Sequence, residues 1–524
     1  IESSSAVAHA ALLVRPGKAK RPRRAFGVFA PLYGLRSAND WGIGSTSELA
    51  VLGRWAAAHG ATFVGTLPLY PAFYEEHFDV SPYRPVSRVA WNEIYLDVER
   101  LPEVAASSDA AALLSSQRLG GAARRLRAAD GVQYRSVFVA KKAVIAACAN
   151  GVERGPRADA FGAFLAEHPE IRAYARFRSE MDGGTVAERA ASVRYYQYGQ
   201  FAMDRALTDV VAGDGIPLYL DLPLGVHPEG FDRAHYPGAF ISGASIGAPP
   251  DDFFVGGQNW GIPPLDPQAL RAGEFGYVVA TFRHVLRHAR VLRIDHVMGL
   301  ERCFVIPDGC DARDGAYVRY PSHELRAIVA IEADRAGATI VGEDLGTVPP
   351  QTRAAMRRDG MLRAAVFEIE GSAANPAPET GRDAIASFGT HDLPRFVEFI
   401  EGGELASRVA SGAMTHDEAI EVRKRRRTLR TELERVGDRE RGLARAYRGV
   451  LAWLGSAEAD LALVDLGDLL LDPSPENRPG PDSVRASWRH RIAVRIEDLV
   501  SDLTVASRIA IVAAGRPTRT GAKR

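Results

Sequence analysis

An alternation constrains the fold of this chain more than any other feature. Eight short β-prone segments are each followed by loop chemistry and then by Ala/Arg-rich helical sequence: Phe26 to Ala30, Thr62 to Leu67, Leu218 to Leu222, Val291 to Ile294, Thr339 to Gly342, Ala364 to Ile369, Ala384 to Phe388 and Leu461 to Val464. Such alternation is the pattern of βα units around a parallel sheet. Eight strands predict an α/β chain closed into a (β/α)8 TIM barrel. An open doubly wound sheet has fewer strands and a Gly-rich phosphate loop after the first, and no GxGxxG follows Phe26 to Ala30.

The spacing is uneven. About 150 residues separate the second and third segments, too many for a βα connection, and Glu398 to Ser456 separates the seventh and eighth. The barrel is therefore expected over residues 26–520 with inserted, mainly helical subdomains at about 74–215 and 398–456, after a tail or linker over residues 1–25. The 524 residues exceed the roughly 100–200 of an ordinary domain, which agrees with a large barrel carrying insertions.

Lys plus Arg and Asp plus Glu both number 65, so no global field draws the chain to nucleic acid or to an anionic membrane, and a neutral substrate fits better than a polyanion. The basic stretches Arg15 to Arg24 and Glu421-Val-Arg-Lys-Arg-Arg-Arg read as a solvated linker and a solvated helix face. No apolar run approaches the roughly 18 residues that cross a bilayer. The start lacks an initiator Met, which suggests trimming, and no basic residue precedes its short apolar stretch, so it reads poorly as a signal peptide. Cys148, Cys303 and Cys310 are odd in number and lack CxxC spacing, which argues against a disulfide scaffold or zinc cluster and makes a reducing, cytoplasmic setting the default.

In a parallel barrel, catalytic groups gather at the C-terminal strand ends. Here those ends are acidic: Asp221 in the third, Asp295 in Arg293-Ile-Asp-His296, Glu343 in Gly342-Glu-Asp344, and Asp392 in Gly389-Thr-His-Asp392. Clustered carboxylates repel one another and cost stability unless chemistry needs them. The competing uses are a cation site, which wants several oxygens in one sphere, and a retaining glycosidic site, which wants one ionised nucleophile and one protonated acid about 5–5.5 Å apart. Arg293 lies two residues before Asp295, hence on the same strand face, where its guanidinium is expected to hold that carboxyl ionised and below the usual carboxylate range. Glu343 has no basic neighbour in its motif and adjoins Asp344, an arrangement expected to raise it toward a general acid.

Pyranose rings also need flat apolar surfaces edged by hydrogen-bonding groups. The loop Gly247-Ala-Pro-Pro-Asp-Asp-Phe-Phe-Val-Gly-Gly-Gln-Asn-Trp260-Gly supplies these, as does Val80-Ser-Pro-Tyr83-Arg-Pro.

Together these motifs resemble the 4-α-glucanotransferases, also called amylomaltases or disproportionating enzymes, of the α-amylase clan. The chain is similar to the long-form bacterial members through Asn39-Asp-Trp-Gly-Ile-Gly44, Ser81-Pro-Tyr83, Gly247-Ala-Pro-Pro-Asp251, Gly257-Gln-Asn-Trp-Gly261, Leu292-Arg-Ile-Asp-His296, Val341-Gly-Glu-Asp-Leu-Gly-Thr-Val348 and Thr390-His-Asp-Leu-Pro394. Long-form members carry a further N-terminal domain, which is expected to be absent or removed here. The resemblance implies Asp295 as nucleophile, Glu343 as acid/base and Asp392 as the third carboxylate, stabilising the distorted sugar. It implies Arg293, His296 and His391 around the sugar at the cleavage point, and substrate contacts from Tyr83, Asp221, Gln258 and Trp260. It further implies double displacement between maltooligosaccharides or related glucans, with no cofactor. No metal is expected, since the sequence has no dense Asp/Asn cation loop of EF-hand type and no Cys/His ligand spacing.

Hydrolysis is the nearest rival, because it differs only in whether water or a sugar attacks. A catalytically silent glycan-binding protein is the rival of another class, and intact Asp295, Glu343 and Asp392 speak against it. Two departures from the family pattern stand out: Arg395 after Asp392-Leu-Pro, and Arg478 in Asn477-Arg-Pro-Gly-Pro481. Both follow neighbouring barrel strands, so two added guanidinium groups are expected at one region of the cleft rim, favouring a modified or anionic sugar. The alternative is that both arginines pair with nearby surface acids.

Overall fold

The computed structural model describes residues 2–3, 6–7, 12–16, 21–250, 256–477 and 487–517. Eight strands form its centre: β1 (Ala25–Phe29), β2 (Phe63–Gly65), β3 (Leu218–Leu222), β4 (Ala289–Ile294), β5 (Thr339–Gly342), β6 (Leu362–Val366), β7 (Ala384–Ser387) and β8 (Leu461–Asp465). They pair in parallel in that order, and β8 closes on β1. The expected barrel is present. Its sixth strand lies earlier than expected, ending at Val366, because Phe367–Glu370 turns into a short helix.

Alternation along the strands sorts their side chains into two cores. Ala25, Phe63, Tyr219, Val291, Val341, Leu362, Ile385 and Leu461, one from each strand, pack on one another inside the barrel. The intervening Val28, Val64, Leu292 and Ile340 are buried against the helices outside. Gly27 has no room for a side chain, since a Cβ there would stand 2.2 Å from the Phe63 ring that plugs the barrel. Two residues further along the inward rows stand Asp221, Arg293 and Glu343, with Asp295 one step beyond Arg293. The period of two that fills the barrel core therefore also delivers charged groups to its mouth.

Between β2 and β3 run the helices Ser108–Ser115, Gln117–Ala128, Tyr134–Ala149, Ala158–Glu167, Pro169–Asp182 and Val186–Val211. Between β7 and β8 run Phe396–Glu401, Leu405–Ala410, His416–Val436 and Gly442–Ser456. The longest in each group starts with a capping box, Thr185 with Glu188 and Thr415 with Glu418, which satisfies the free amides of the first turn. A four-stranded antiparallel sheet, in the order Ala316–Arg319, Arg302–Pro307, Ala244–Ala248, Gln258–Ile262, grows from the connections after β3 and β4. Gln258 and Trp260, expected in a loop, lie instead on its edge strand, and residues 251–255 of the motif fall outside the described residues.

Part of the basic linker is not simply solvated. Arg21 pairs with Asp460 at 2.5 Å and Asp383 at 2.6 Å, and Arg24 donates to the carbonyls of Gly455 and Ala457. Among the described residues, no helix is long and apolar enough to cross a membrane.

Candidate active site

The site begins with a register. Asp221 on β3 lies opposite Arg293 on β4, both pointing into the barrel mouth, so Arg293 Nη1 reaches both oxygens of Asp221 at 2.8 Å. The same nitrogen reaches Asp295 Oδ1 at 3.0 Å. The Tyr83 hydroxyl donates to Asp221 Oδ2 at 2.6 Å and lies 3.1 Å from His391 Nδ1, and the two rings stack with centroids 4.5 Å apart. His391 Nε2 sits 3.1 Å from Asp392 Oδ2. One continuous network thus joins Asp295, Arg293, Asp221, Tyr83, His391 and Asp392. Asp221 is only 2% exposed with its oxygens engaged, so in the free protein it fixes Arg293 and Tyr83 and presents no open face.

Glu343 stands apart from those ion pairs. The Glu343 backbone bonds to Ile294 of β4 at 3.0 Å, and its side chain accepts two amides, His296 N–H at 2.9 Å and Leu345 N–H at 2.8 Å. Burial pushes its carboxyl up to about 7; Arg293 opposes this and Asp295 adds to it. Asp344, the sequence neighbour expected to cause that rise, turns away to accept from Arg353 Nε at 2.8 Å and Ala364 N–H at 2.9 Å.

The expectation for Asp295 also changes. Burial raises its carboxyl above the usual value, and the Asp221 charge adds to this, so the lowering by Arg293 is outweighed. That guanidinium is shared, with Asp221 holding two of its contacts, so Asp295 receives only part of its charge. Asp392 has a half-exposed side chain, and although desolvation works to raise its carboxyl, the His391 ion pair and a hydrogen bond from Asn477 Nδ2 at 2.7 Å hold it well below the carboxylate range. Burial works to lower His391, yet Asp392 raises it above its ordinary value. Burial alone takes His296 down to about 4, leaving a neutral ring at neutral pH.

His296 has φ of +45°, a left-handed conformation that costs a β-substituted residue and turns the chain sharply after Asp295. Trp260 meets its ring edge to face at 5.5 Å and donates from its indole nitrogen to Gln258 Oε1 at 3.2 Å. All ten residues singled out in the sequence thus fall at one end of the barrel.

Two further neighbours were not assigned there. Asn477 was noted only as part of a motif, and its bond to Asp392 crosses 85 positions. Trp488 lies 5.7 Å from Tyr83 and 5.9 Å from His391 by ring centroids. It is one of six tryptophans in the chain and the one past the last strand, and its rarity is its only signal in the sequence.

Arg395 departs from the cleft-rim expectation. It is 4% exposed, hydrogen-bonds to Glu476, and lies 3.4 Å from Asp472 and 4.0 Å from Asp465. It pairs with acids, as the alternative held, but in the interior. Arg478 lies outside the described residues.

A family model described as 4-alpha-glucanotransferase matches residues 30–183 and 184–496. The 4-alpha-glucanotransferase of Mycobacterium tuberculosis is 32% identical, over 97% of this chain and 78% of that protein. That of Haemophilus influenzae is 31% identical over 74% of this chain and 62% of its own length. The crystal structure of amylomaltase from Corynebacterium glutamicum superposes with a TM-score of 0.84 at 28% identity, covering 94% of this chain and 75% of that one. An amylomaltase from Streptococcus agalactiae in complex with acarbose shares the fold, with a TM-score of 0.72 at 20% identity over 94% of this chain and 99% of its own. A barrel mouth of this composition, a family match over most of the length and relatives of this identity lead to one assignment: the chain belongs to the 4-alpha-glucanotransferase family.

Proposed function

We propose that the protein transfers α-1,4-glucan segments between maltodextrins by double displacement at this site. In the first half, an oxygen of Asp295 attacks C1 of the donor sugar as Glu343 gives its proton to the departing 4-oxygen, so one glycosidic bond breaks and one ester bond forms. In the second, Glu343 takes the proton of an acceptor 4-hydroxyl, whose oxygen displaces Asp295 from C1. One α-1,4 bond is lost and one made, with no redox change. Asp392, ionised beside His391, stabilises the positive charge that develops on the distorted ring. Arg293, His296 and His391 surround that ring, Trp260 and Gln258 offer a platform and a polar edge, and Tyr83 and Asp221 brace the rest.

One observation carries this reading: of two carboxyls on adjacent strand ends, Asp295 is ion-paired with a guanidinium that opposes its rise, while Glu343 accepts from two neutral amides and holds its proton to about 7. A carboxyl paired with a cation beside one that keeps its proton is what a nucleophile and an acid need. The helical segments at about 74–215 and 398–456 are proposed as insertions on the barrel, and the three free cysteines suit a cytoplasmic setting.

The test uses Glu343→Gln with an α-glucosyl fluoride, whose leaving group needs no acid. A glucosyl adduct on Asp295 by mass spectrometry supports the roles, and a folded variant that never labels there overturns them. With maltotriose, the parent should form glucose and longer chains at constant total reducing ends. A rise in reducing ends identifies a hydrolase, and retained maltodextrin affinity without turnover a binding protein.

A further inference from the structure

The loop after β7 and the loop after β8 each contribute one half of a contact, Asp392 from the first and Asn477 from the second. Among the described residues no sheet pairing joins these two loops to each other, so other ties set the contact. Arg395 lies three residues after Asp392, with Leu393 N–H bonded to Thr390 O at 3.1 Å and Pro394 restricting the chain between. Its guanidinium crosses to Glu476, the residue before Asn477, and both partners are 4% exposed or less. Glu476 is held from its other side, since its carbonyl accepts Trp488 N–H at 2.8 Å, and Trp488 stands against His391 and Tyr83. The guanidinium lies against Gly467, where a Cβ would come within 1.6 Å of Nη1. Beside it, Asp468 Oδ1 accepts Phe396 N–H at 2.8 Å and Asp472 pairs with His490 at 2.6 Å. One guanidinium from the loop after β7 therefore lies among Glu476, Asp472 and Asp465, all carried by the end of β8 and the loop that follows it, so its attraction to them ties the two loops together. Arg395 also lines the same cavity, about 80 Å³ in volume, as Glu343, Arg293 and His391.

We propose that Arg395 is a positioning residue: its buried pair with Glu476 clamps the loop bearing His391 and Asp392 to the loop bearing Asn477, and so sets the place from which Asp392 meets the sugar. The inference rests on the reading of Asp392 as the third catalytic carboxylate.

The test is a double-mutant cycle on maltotriose disproportionation with Arg395→Met and Asp392→Asn, and a second cycle with Gly467→Ala, which displaces the guanidinium without changing any charge. Circular dichroism confirms folding, and the Gly467→Ala cycle decides if Arg395→Met does not fold. Misplacing a reacting group by a fraction of an ångström to an ångström costs on the order of 10- to 100-fold. Arg395→Met and Gly467→Ala should therefore lower kcat by at least about tenfold with KM within about twofold, and neither should lower it further in the Asp392→Asn background. Folded variants with parental kcat, or losses of equal size in both backgrounds, overturn the clamp as a positioning device and leave the Asp392 reading intact. An Asp392→Asn enzyme with parental kcat overturns that reading, and the inference with it.

Discussion

The carboxylate of Glu343 accepts the backbone N–H of His296, the residue that follows Asp295, at 2.9 Å. Through this bond the end of β5 fixes the turn that leaves β4. The left-handed His296 is what aims its amide there, so one strained backbone position serves both carboxyls. Since the donors to Glu343 are neutral amides and no cation among the described residues bonds to it, burial is the largest influence on its proton affinity.

A pH dependence follows. Glu343 binds its proton up to about 7 in the folded protein against an ordinary 4.5. Stabilisation from this group is therefore complete below about pH 4.5 and is lost as pH rises through about 7, by on the order of 3 kcal/mol. Glu343→Gln cannot ionise, so its Tm should gain on the parent between pH 5 and 8. Two parallel Tm curves would show that the folded protein does not displace this group. The parental kcat/KM should also fall as pH climbs through about 7, since the free enzyme then loses its acid.

Asp295→Asn and Glu343→Gln should each lower turnover of maltotriose by about 10²–10⁴-fold with the fold retained, because each removes a chemical role and little packing. Steady-state rates beside circular dichroism spectra check this, and near-parental turnover in either variant rules out its assigned role.

Tyr83→Phe keeps the ring stack on His391 and deletes the hydroxyl shared with Asp221. Asp221 keeps Arg293, so stability should drop by only about 1–2 kcal/mol in urea unfolding. kcat/KM should fall by about tenfold, since Arg293 and His391 lose their common brace. An unaltered kcat/KM would mean that the stack alone orients His391.

Neighbouring carboxylates should behave in opposite ways. Asp344→Ala strands Arg353 and the Ala364 amide and should destabilise by about 1.5–3 kcal/mol, with the pH at which kcat/KM falls unchanged. A shift of that pH would return Asp344 to the electrostatics of Glu343.

Much of this protein is written locally. The eight βα units, the inward row that ends in Asp221, Arg293 and Glu343, and the pairing of acids with strand ends follow from a period of two and from where a parallel barrel brings its strand tips. No long-range information is needed to read them. The sixth strand ends early because β-prone Phe367-Glu-Ile369 curls into a helix, its Glu368 N–H taken by the carbonyl of Phe388 just past the next strand.

What only the tertiary structure decided concerns sums over groups far apart in the chain. Sequence spacing makes Arg293 the private partner of Asp295, but Asp221, 72 positions away, takes two of its contacts, and burial then reverses the direction expected for Asp295. Glu343 does rise, though from burial and Asp295, with Asp344 turned elsewhere. Arg395, read as a guanidinium on the rim, is enclosed by acids up to 81 positions away, and Asn477 and Trp488 join the site by the same kind of closure. Residue type and spacing determine which chemistry a strand end can offer. How strongly each group holds its proton, and which charge faces which, depends on desolvation and on distances that exist only once the barrel has closed.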